Sequence, residues 1–274
     1  MKDLLIAEDS RSGAQMAVLE RLGFRFGDRG AHTSRTIMLA ELSSLLLGRP
    51  ATTTRSEYAT AIVAENCLGK HTASTRQLTL QRLSELYALD PAVPLFRLMR
   101  LFWEGADERT QAQLALLAAL ARDPLLRATS TPVLAMQVGE EIARQRFTDA
   151  VRDAVDGRLN DAVLDKVVRN TASSWTQSGH LDGRSRKKRV KIDPSPASIS
   201  FALVLGYLLG LRGLNLFGTL FARILDREAN ELTALALDAK RFGFLNVKSS
   251  GGLIVISFDD ILTDQEKRLS YGAH

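Results

Sequence analysis

Six cationic side chains lie within eight residues in the second half of the chain, and theirs is the clearest chemistry that the sequence offers. They are Arg184, Arg186, Lys187, Lys188, Arg189 and Lys191. The surrounding segment, residues 178–191, contains one carboxylate, Asp182, so it accounts by itself for the formal net charge of +5. Lysine and arginine bind phosphate groups and release counterions from nucleic acids. The segment therefore predicts a local contact with double-stranded DNA.

Residues 160–177, directly before these cations, have the pattern of an amphipathic helix with Asn160 as its N-cap. One face of the helical wheel is apolar and consists of Val163, Leu164, Val167, Val168, Ala172 and Trp175. The opposite face carries the side chains that we predict to contact DNA, namely Lys166, Arg169, Asn170, Ser173 and Gln177. Asp161 and Asp165 lie at the edge of that polar face, so no carboxylate interrupts its centre. Polar side chains on such a face can reach base edges in the major groove.

The basic segment itself has the pattern of a β-hairpin, because Asp182-Gly183 lies between two short extended stretches. A polar amphipathic helix followed by a basic hairpin is the order of the recognition helix and wing in a winged-helix unit. We expect the hairpin cations to contact phosphates and the helix to contact bases. Two alternatives stay open: an exposed charged loop after a surface helix, and a nuclear-import signal, which the run RKKRVK would suit.

A second candidate DNA contact lies in the first half of the chain. Helices are predicted over residues 33–47, 56–66 and 72–89, with a short glycine-containing turn between the last two, which is the order of a helix-turn-helix unit. The outer face of the third helix is polar but mixed in charge, with Ser74, Gln77, Gln81, Arg82 and Glu85. One interpretation places Gln77 and Gln81 on base edges and Arg82 on a phosphate. The other is an ordinary solvated helix face.

The composition favours helices to position these side chains. Hydrophobic residues are 45% and charged residues 24%, as in globular proteins, while aromatic residues are only 6%. Further helices are predicted over residues 92–104, 108–121 and 133–156. Asp123-Pro124 and the run 129–132 interrupt the pattern between them. We predict a mainly α fold with two helical domains, residues 1–128 and 129–274, that contain helix-turn-helix or winged-helix-like units and short β-hairpins.

The end of the chain is predicted to contain apolar helices between residues 198 and 225, a helix over residues 227–242 and a second hairpin. The strands of that hairpin, residues 244–247 and 253–258, flank a turn at residues 249–252. The arrangement resembles a second wing. However, the preceding helix exposes Glu231 and Asp238 as well as Lys240 and Arg241, so packing or protein contact is an equal alternative to DNA contact there.

Several classes of protein are excluded or disfavoured. The sequence contains no GxxxxGK, GxSxG or HExxH motif and no G-x-G-x-x-G after a strand, so we expect no enzyme and no cofactor. A single cysteine, Cys67, and four scattered histidines exclude a disulfide framework or a Cys/His zinc site within one chain. The uncharged run at residues 199–211 is shorter than the about 20 residues that span a bilayer, so it predicts a buried helix. No secretory signal is recognised at residues 1–13, which favours a cytoplasmic protein.

The chain resembles the BrxA family of bacterial BREX phage-defence systems. The resemblance covers residues 33–225 and lies in TSRTIMLAELSSLL, AIVAENCLGKHTASTRQLTLQRLSEL, the Leu/Ala-rich helix at residues 112–121, and WTQSGHLDG with the basic run that follows. It implies a non-enzymatic cytoplasmic protein whose partners are double-stranded DNA and other BREX defence proteins, with no membrane contact and no small-molecule substrate. The alternative is an assembly adaptor of a defence complex without a direct DNA role.

Overall fold

A computed structural model describes residues 12–250 and 253–272 of the chain. These residues form a mainly helical protein with short antiparallel strand pairs, which confirms the predicted fold class. The helices before residue 129 are α1 (Gly13–Leu22), α2 (Leu39–Leu46), α3 (Arg55–Val63), α4 (Ala73–Tyr87), α5 (Pro94–Trp103), α6 (Glu108–Arg122) and α7 (Pro124–Ala128). After it follow α8 (Ser130–Ala135), α9 (Arg144–Ala154), α10 (Asp161–Gln177), β1 (Leu181–Asp182), β2 (Lys188–Arg189), α11 (Pro196–Leu208), α12 (Leu220–Arg223), α13 (Ala229–Arg241), β3 (Asn246–Ser250), β4 (Leu253–Ser257) and α14 (Asp264–Gly272).

Side-chain caps set the starts of the helices that the sequence predicts best. The hydroxyl of Thr72 accepts the amide N–H of Thr75 at the start of α4, and the side chain of Asn160 accepts that of Val163 at the start of α10. Each cap satisfies an amide that has no partner within the helix, and such a cap stabilises a helix by about 1 kcal/mol. The predicted starts of these two helices are therefore confirmed.

Two predicted helices are wrong in their extent. The helix predicted over residues 33–47 is α2 and begins only at Leu39, because Ala31–Thr33 forms a 3-10 turn and Met38 has a positive φ of 52°. The predicted helix over residues 133–156 is divided into α8 and α9, and the residues between them form no helix. Sequence reasoning also missed α14. In the second predicted hairpin, β3 and β4 pair as expected, but Gly251 and Gly252 of its turn lie outside the described residues.

The main cluster of buried side chains draws on both sides of residue 129. Residues 114–121 of α6 are buried all round, and so are residues 198–208 of α11. α11 packs against α5 and α6, and the rings of Phe102 and Phe201 meet there at 5.8 Å. The core is thus continuous across the predicted boundary, and the division into two domains stays a prediction. No helix in the described part of the chain is long and apolar enough to cross a membrane.

Candidate nucleic-acid interface

The apolar face of α10 packs into the protein, as the sequence predicts. Leu164, Val167 and Trp175 are buried, and the indole N–H of Trp175 donates to Thr129 Oγ1 at 2.8 Å. A buried hydrogen bond of this kind fixes the rotation of the helix as well as its position. Lys166 on the opposite face is therefore held in solvent.

A third extended segment joins the predicted hairpin. β1 and β2 pair antiparallel, and residues 139–142 pair with the other edge of β2. The amide of Gly139 donates to Arg189 O and the amide of Ile142 donates to Lys187 O, each at 2.8 Å. The chain order is segment 139–142, α9, α10, β1 and β2, and the order across the sheet is segment, β2, β1. This is the arrangement of a winged-helix unit. Sequence reasoning missed the segment because it assigned these residues to a helix.

The loop between the two strands comprises residues 183–187 and requires a glycine at its start. Gly183 has a φ of 106°, and a Cβ atom there would lie 2.1 Å from Arg186 O. Only glycine adopts this conformation without strain and leaves room for the carbonyl. Asp182-Gly183 therefore begins a longer loop instead of forming a two-residue turn.

Lys187 joins this loop to α10. Its ammonium group donates to Thr176 Oγ1 at 2.8 Å and to Gly183 O at 3.2 Å. The side chain is half-buried, so its charge is engaged within the protein. Lys187, predicted to contact phosphate, instead fixes the position of the loop relative to the helix.

The root of the hairpin is anchored in the core by His180. Its ring meets that of Trp175 edge-on at 5.2 Å, and Nε2 donates to Ile224 O at 2.9 Å. Burial disfavours the charged imidazolium and, together with the nearby cation of Arg189, outweighs the favourable charge of Asp226. The pKa of His180 is lowered to about 4, so the ring is neutral at physiological pH.

Five predicted DNA-contacting cations of this unit are exposed to solvent. They are Lys166 on α10 and Arg184, Arg186, Lys188 and Lys191 on and after the hairpin. Within residues 12–250 and 253–272, none of them is in an ion pair with a carboxylate. Solvated cations of this kind are available to phosphates.

Arg169 is exposed but already paired. Its Nε lies 3.1 Å from Asp165 Oδ2, and Arg144 of α9 pairs with the other oxygen of the same carboxylate. Asp165 lies one helical turn before Arg169 and so places a negative charge beside the predicted contact residues. The helix face is therefore less cationic than the hairpin.

Arg189 is the clearest correction to the predicted contacts. It is only 4% exposed, its guanidinium pairs with Asp226, and its Nε donates to Val133 O at 3.3 Å. Successive residues of a strand point to opposite faces, so Lys188 faces solvent while Arg189 faces the core. Arg189 therefore stabilises the fold and is removed from the candidate interface.

The predicted base-reading side chains of α10 also turn inwards. Asn170 Nδ2 donates to His32 O at 2.8 Å, and Gln177 Oε1 accepts the amide of Leu39 at 3.2 Å. Ser173 is half-buried. Asn170 therefore ties α10 to the chain before α2, and Gln177 ties it to the first residue of α2. Few polar side chains of α10 are left to contact bases.

The structure places the other predicted contacts on α4, which packs mainly against α3 and α6. Gln77 and Gln81 are exposed, but Gln81 donates to Glu85 Oε1 at 3.0 Å. Arg82 is half-buried and its Nη1 lies 2.7 Å from Glu85 Oε2. Glu85 therefore already pairs with the charge of Arg82, the side chain for which a phosphate contact was predicted.

A serine, a histidine and an aspartate meet in the core, and the sequence motifs did not reveal them. His32 Nδ1 lies 2.9 Å from Asp123 Oδ2, and His32 Nε2 lies 2.8 Å from Ser174 Oγ. This is the connectivity of a hydrolytic triad. However, all three residues are buried, and Ser174 Oγ also donates to Asn170 O and accepts the amide of Ile37. A substrate has no access, so we interpret the group as a packing network.

Asp123 carries a negative charge within this network. Burial alone would raise the pKa of the Asp123 carboxyl. The charge of His32 and hydrogen bonds from His32 and from the amide of Leu126 outweigh burial and hold the pKa below its usual value. Asp123 is therefore a charged cap at the start of α7, held by its neighbours. Within the described residues, no group of three or more His, Cys, Asp or Glu side chains could hold a metal ion.

Comparison with known proteins does not identify the chain. No family model matches it, and no curated protein is significantly similar to it. Function is therefore inferred from the surface that α10 and the hairpin form.

Proposed function

We propose that the protein binds double-stranded DNA through α10 and the β1–β2 hairpin and is not itself an enzyme. One observation carries the proposal: a winged-helix unit displays five exposed cations, none of them paired with a carboxylate in the described part of the chain. Their charges have no role in the fold, whereas Arg189 and Lys187 have one. Contact with phosphates would release condensed counterions, which is the main source of sequence-independent affinity.

The same surface favours tolerance of DNA sequence. Specific readout needs side chains that form hydrogen bonds with base edges, and Asn and Gln are the usual partners of adenine. Asn170 and Gln177 are engaged within the protein. Binding is therefore expected to depend on phosphates and to discriminate weakly between sequences.

The resemblance to the BrxA family supports a cellular setting for this activity. We propose a cytoplasmic accessory protein of a bacterial BREX phage-defence system, with DNA and other BREX proteins as its partners. The segments that carry the resemblance include the end of α10 and the hairpin, which are the elements of the candidate interface.

Salt dependence tests the proposal. If all five cations contact phosphates, log Kobs should fall with log salt concentration with a slope of about −4.5. Fluorescence anisotropy with a labelled duplex of random sequence measures it. Replacing Arg184, Arg186 and Lys188 together by Gln should make the slope shallower by about 3. The matched control replaces three exposed cations elsewhere, Arg223, Lys248 and Arg268, by Gln. Equal losses of affinity in the two triple variants would contradict the proposed interface.

An assembly adaptor is the second candidate, and one observation favours it. Leu237 and Phe242, in and just after α13, are 49% and 64% exposed. Large apolar side chains in solvent are common features of protein contact sites. If phage resistance in cells survives the triple hairpin variant but is lost when Leu237 and Phe242 are both changed to Ser, the adaptor role is supported over DNA binding.

A further inference from the structure

A cleft lined by arginines lies beside α4, away from the hairpin. It consists of two adjoining cavities of about 400 and 510 Å³, and both are lined by Arg25, Arg55, Ser84 and Arg122. The smaller cavity lies between α3 and α4 and also contacts Gln77. The three arginines come from the chain after α1, the start of α3 and the end of α6.

No carboxylate in the described part of the chain forms an ion pair with these three arginines. Arg25 Nη1 donates to Glu85 O at 3.3 Å, and Arg122 Nε donates to the same carbonyl at 3.0 Å. Arg122 Nη2 donates to Ser84 O at 3.2 Å. Carbonyls orient a guanidinium but do not neutralise it. The Arg55 side chain is exposed, and its guanidinium makes no hydrogen bond with the rest of the described chain.

The positive charge in the cleft is concentrated. Arg122 is only 9% exposed, and its burial together with the charge of Arg25 lowers its pKa to about 9. The guanidinium is still protonated at neutral pH. A cation that is both buried and close to a like charge is stabilised by an anion more strongly than a cation in solvent.

The carboxylates that line the cleft are divided unequally between its two cavities. Glu85 lines the smaller cavity, but Arg82 at 2.7 Å and Gln81 at 3.0 Å already bind its oxygens. Glu20 and Asp90 line only the larger cavity. Three arginines line each cavity, so the smaller cavity has the larger surplus of positive charge.

We propose that the smaller cavity binds the phosphate group of a small molecule of about nucleotide size. Arg25, Arg55 and Arg122 would supply charged donors, and Ser84 would supply a hydroxyl donor. Leu80 and Leu89 line the same cavity and offer an apolar contact for the rest of the ligand. A volume of about 400 Å³ falls within the range of ligand sites in proteins. DNA also carries phosphates, so contact of these arginines with DNA is an outcome that the experiment must distinguish.

Isothermal titration calorimetry with AMP, inorganic phosphate and adenosine tests the proposal on the whole chain. AMP or phosphate should bind with a Kd below about 1 mM, and adenosine should bind at least tenfold more weakly than AMP. Arg55→Gln should lower the affinity at least tenfold, since a charge-assisted hydrogen bond is lost. Arg55 is exposed, so this variant should fold; Arg21→Gln, an exposed cation of α1 outside the cleft, is the control.

The outcomes separate this site from the DNA interface. The expected result is loss of AMP or phosphate binding in Arg55→Gln with unchanged DNA affinity. Absence of binding of both AMP and phosphate, or equal affinity in the wild type and in Arg55→Gln, would overturn the site. If neither small molecule binds but Arg55→Gln weakens DNA binding tenfold, the arginines contact nucleic acid and the small-molecule proposal is wrong. If these titrations disprove the phosphate site, the hairpin variants still test DNA binding separately.

Discussion

Lys187 Nζ lies 2.8 Å from Thr176 Oγ1, so one cation of the basic hairpin is bonded to the helix that precedes it. This contact links α10 to the loop that carries Arg184 and Arg186. Arg184, Arg186, Lys188 and Lys191 remain exposed to solvent. Lys187 is bonded within the protein, whereas its neighbours Arg186 and Lys188 are exposed, although the three cations look alike in the sequence.

Thr176→Val tests this positioning role without a change in charge. The variant removes the hydroxyl acceptor, and a lost hydrogen bond to a charged group corresponds to about 1.5–3 kcal/mol at most. We expect faster amide hydrogen exchange in residues 183–187 and a two- to fivefold lower affinity for duplex DNA. Ser185→Ala, an exposed hydroxyl in the same loop, is the control and should change neither. Unchanged exchange in Thr176→Val would show that the loop is held by other contacts.

Substitution of Arg189 and of Lys188, the two neighbouring cations of β2, should have different effects on stability and on DNA binding. Arg189→Ala leaves Asp226 without its partner in a site where that carboxylate is 11% exposed, so we expect a loss of about 3–5 kcal/mol in the free energy of unfolding. Lys188→Ala should change stability by less than about 0.5 kcal/mol but should weaken DNA binding. Urea unfolding and anisotropy titrations measure the two effects. A stable Arg189→Ala protein with weak DNA binding would restore Arg189 to the interface.

Asp165→Asn should strengthen DNA binding. The change removes the carboxylate that pairs with Arg144 and Arg169, so two guanidinium groups become available beside Lys166. We expect a three- to tenfold gain in affinity at low salt, with a change in stability below about 1 kcal/mol, because exposed ion pairs contribute little. Asp153→Asn, an exposed carboxylate of α9, controls for net charge. An equal gain in both variants would assign the effect to overall charge and not to α10.

The stability of the protein should fall as the pH decreases from 6.5 to 4. The pKa of His180 is lowered from 6.5 to about 4 in the folded protein, so the unfolded chain takes up a proton first as the pH falls. Neither state binds this proton above pH 6.5, so stability is unaffected there; as the pH falls to about 4, the free energy of unfolding decreases by about 3 kcal/mol. Urea midpoints at pH 7.5 and 4.5 measure the change. His180→Gln should show a smaller difference between the two pH values, whereas His71→Gln, at an exposed site, should behave as the wild type.

Local signals in the sequence predicted α10 and the hairpin correctly. The Asn160 cap, the apolar spacing of the helix and the glycine after β1 all act over a few residues, so they can be recognised without a structure. Gly183, however, begins a loop over residues 183–187 and not the predicted two-residue turn. The segment 139–142 could not be recognised in this way, because its partner β2 lies more than forty residues away. A short segment that pairs only at long range leaves no periodic pattern.

Hydrogen bonds with distant parts of the chain also determine which of the predicted DNA-contacting side chains are directed into the protein. Asn170 and Gln177 lie on the polar side of the helical wheel, yet their partners, His32 O and the amide of Leu39, are each 138 residues away. A wheel shows which residues are polar but not which backbone groups another part of the chain brings to them. The arginine cleft was missed for the same reason, since Arg25, Arg55 and Arg122 are dispersed in the sequence.

The bonds of Asn170 and Gln177 have a consequence for how the protein would meet its partner. Together with Trp175, they hold α10 at several points along its length, so the helix has little freedom to lose on association. Association without ordering of the protein avoids a large entropic cost and gives a small change in heat capacity. Side chains that could have distinguished one base from another instead make the surface rigid, and a rigid surface suits a protein that meets any stretch of duplex in the same way.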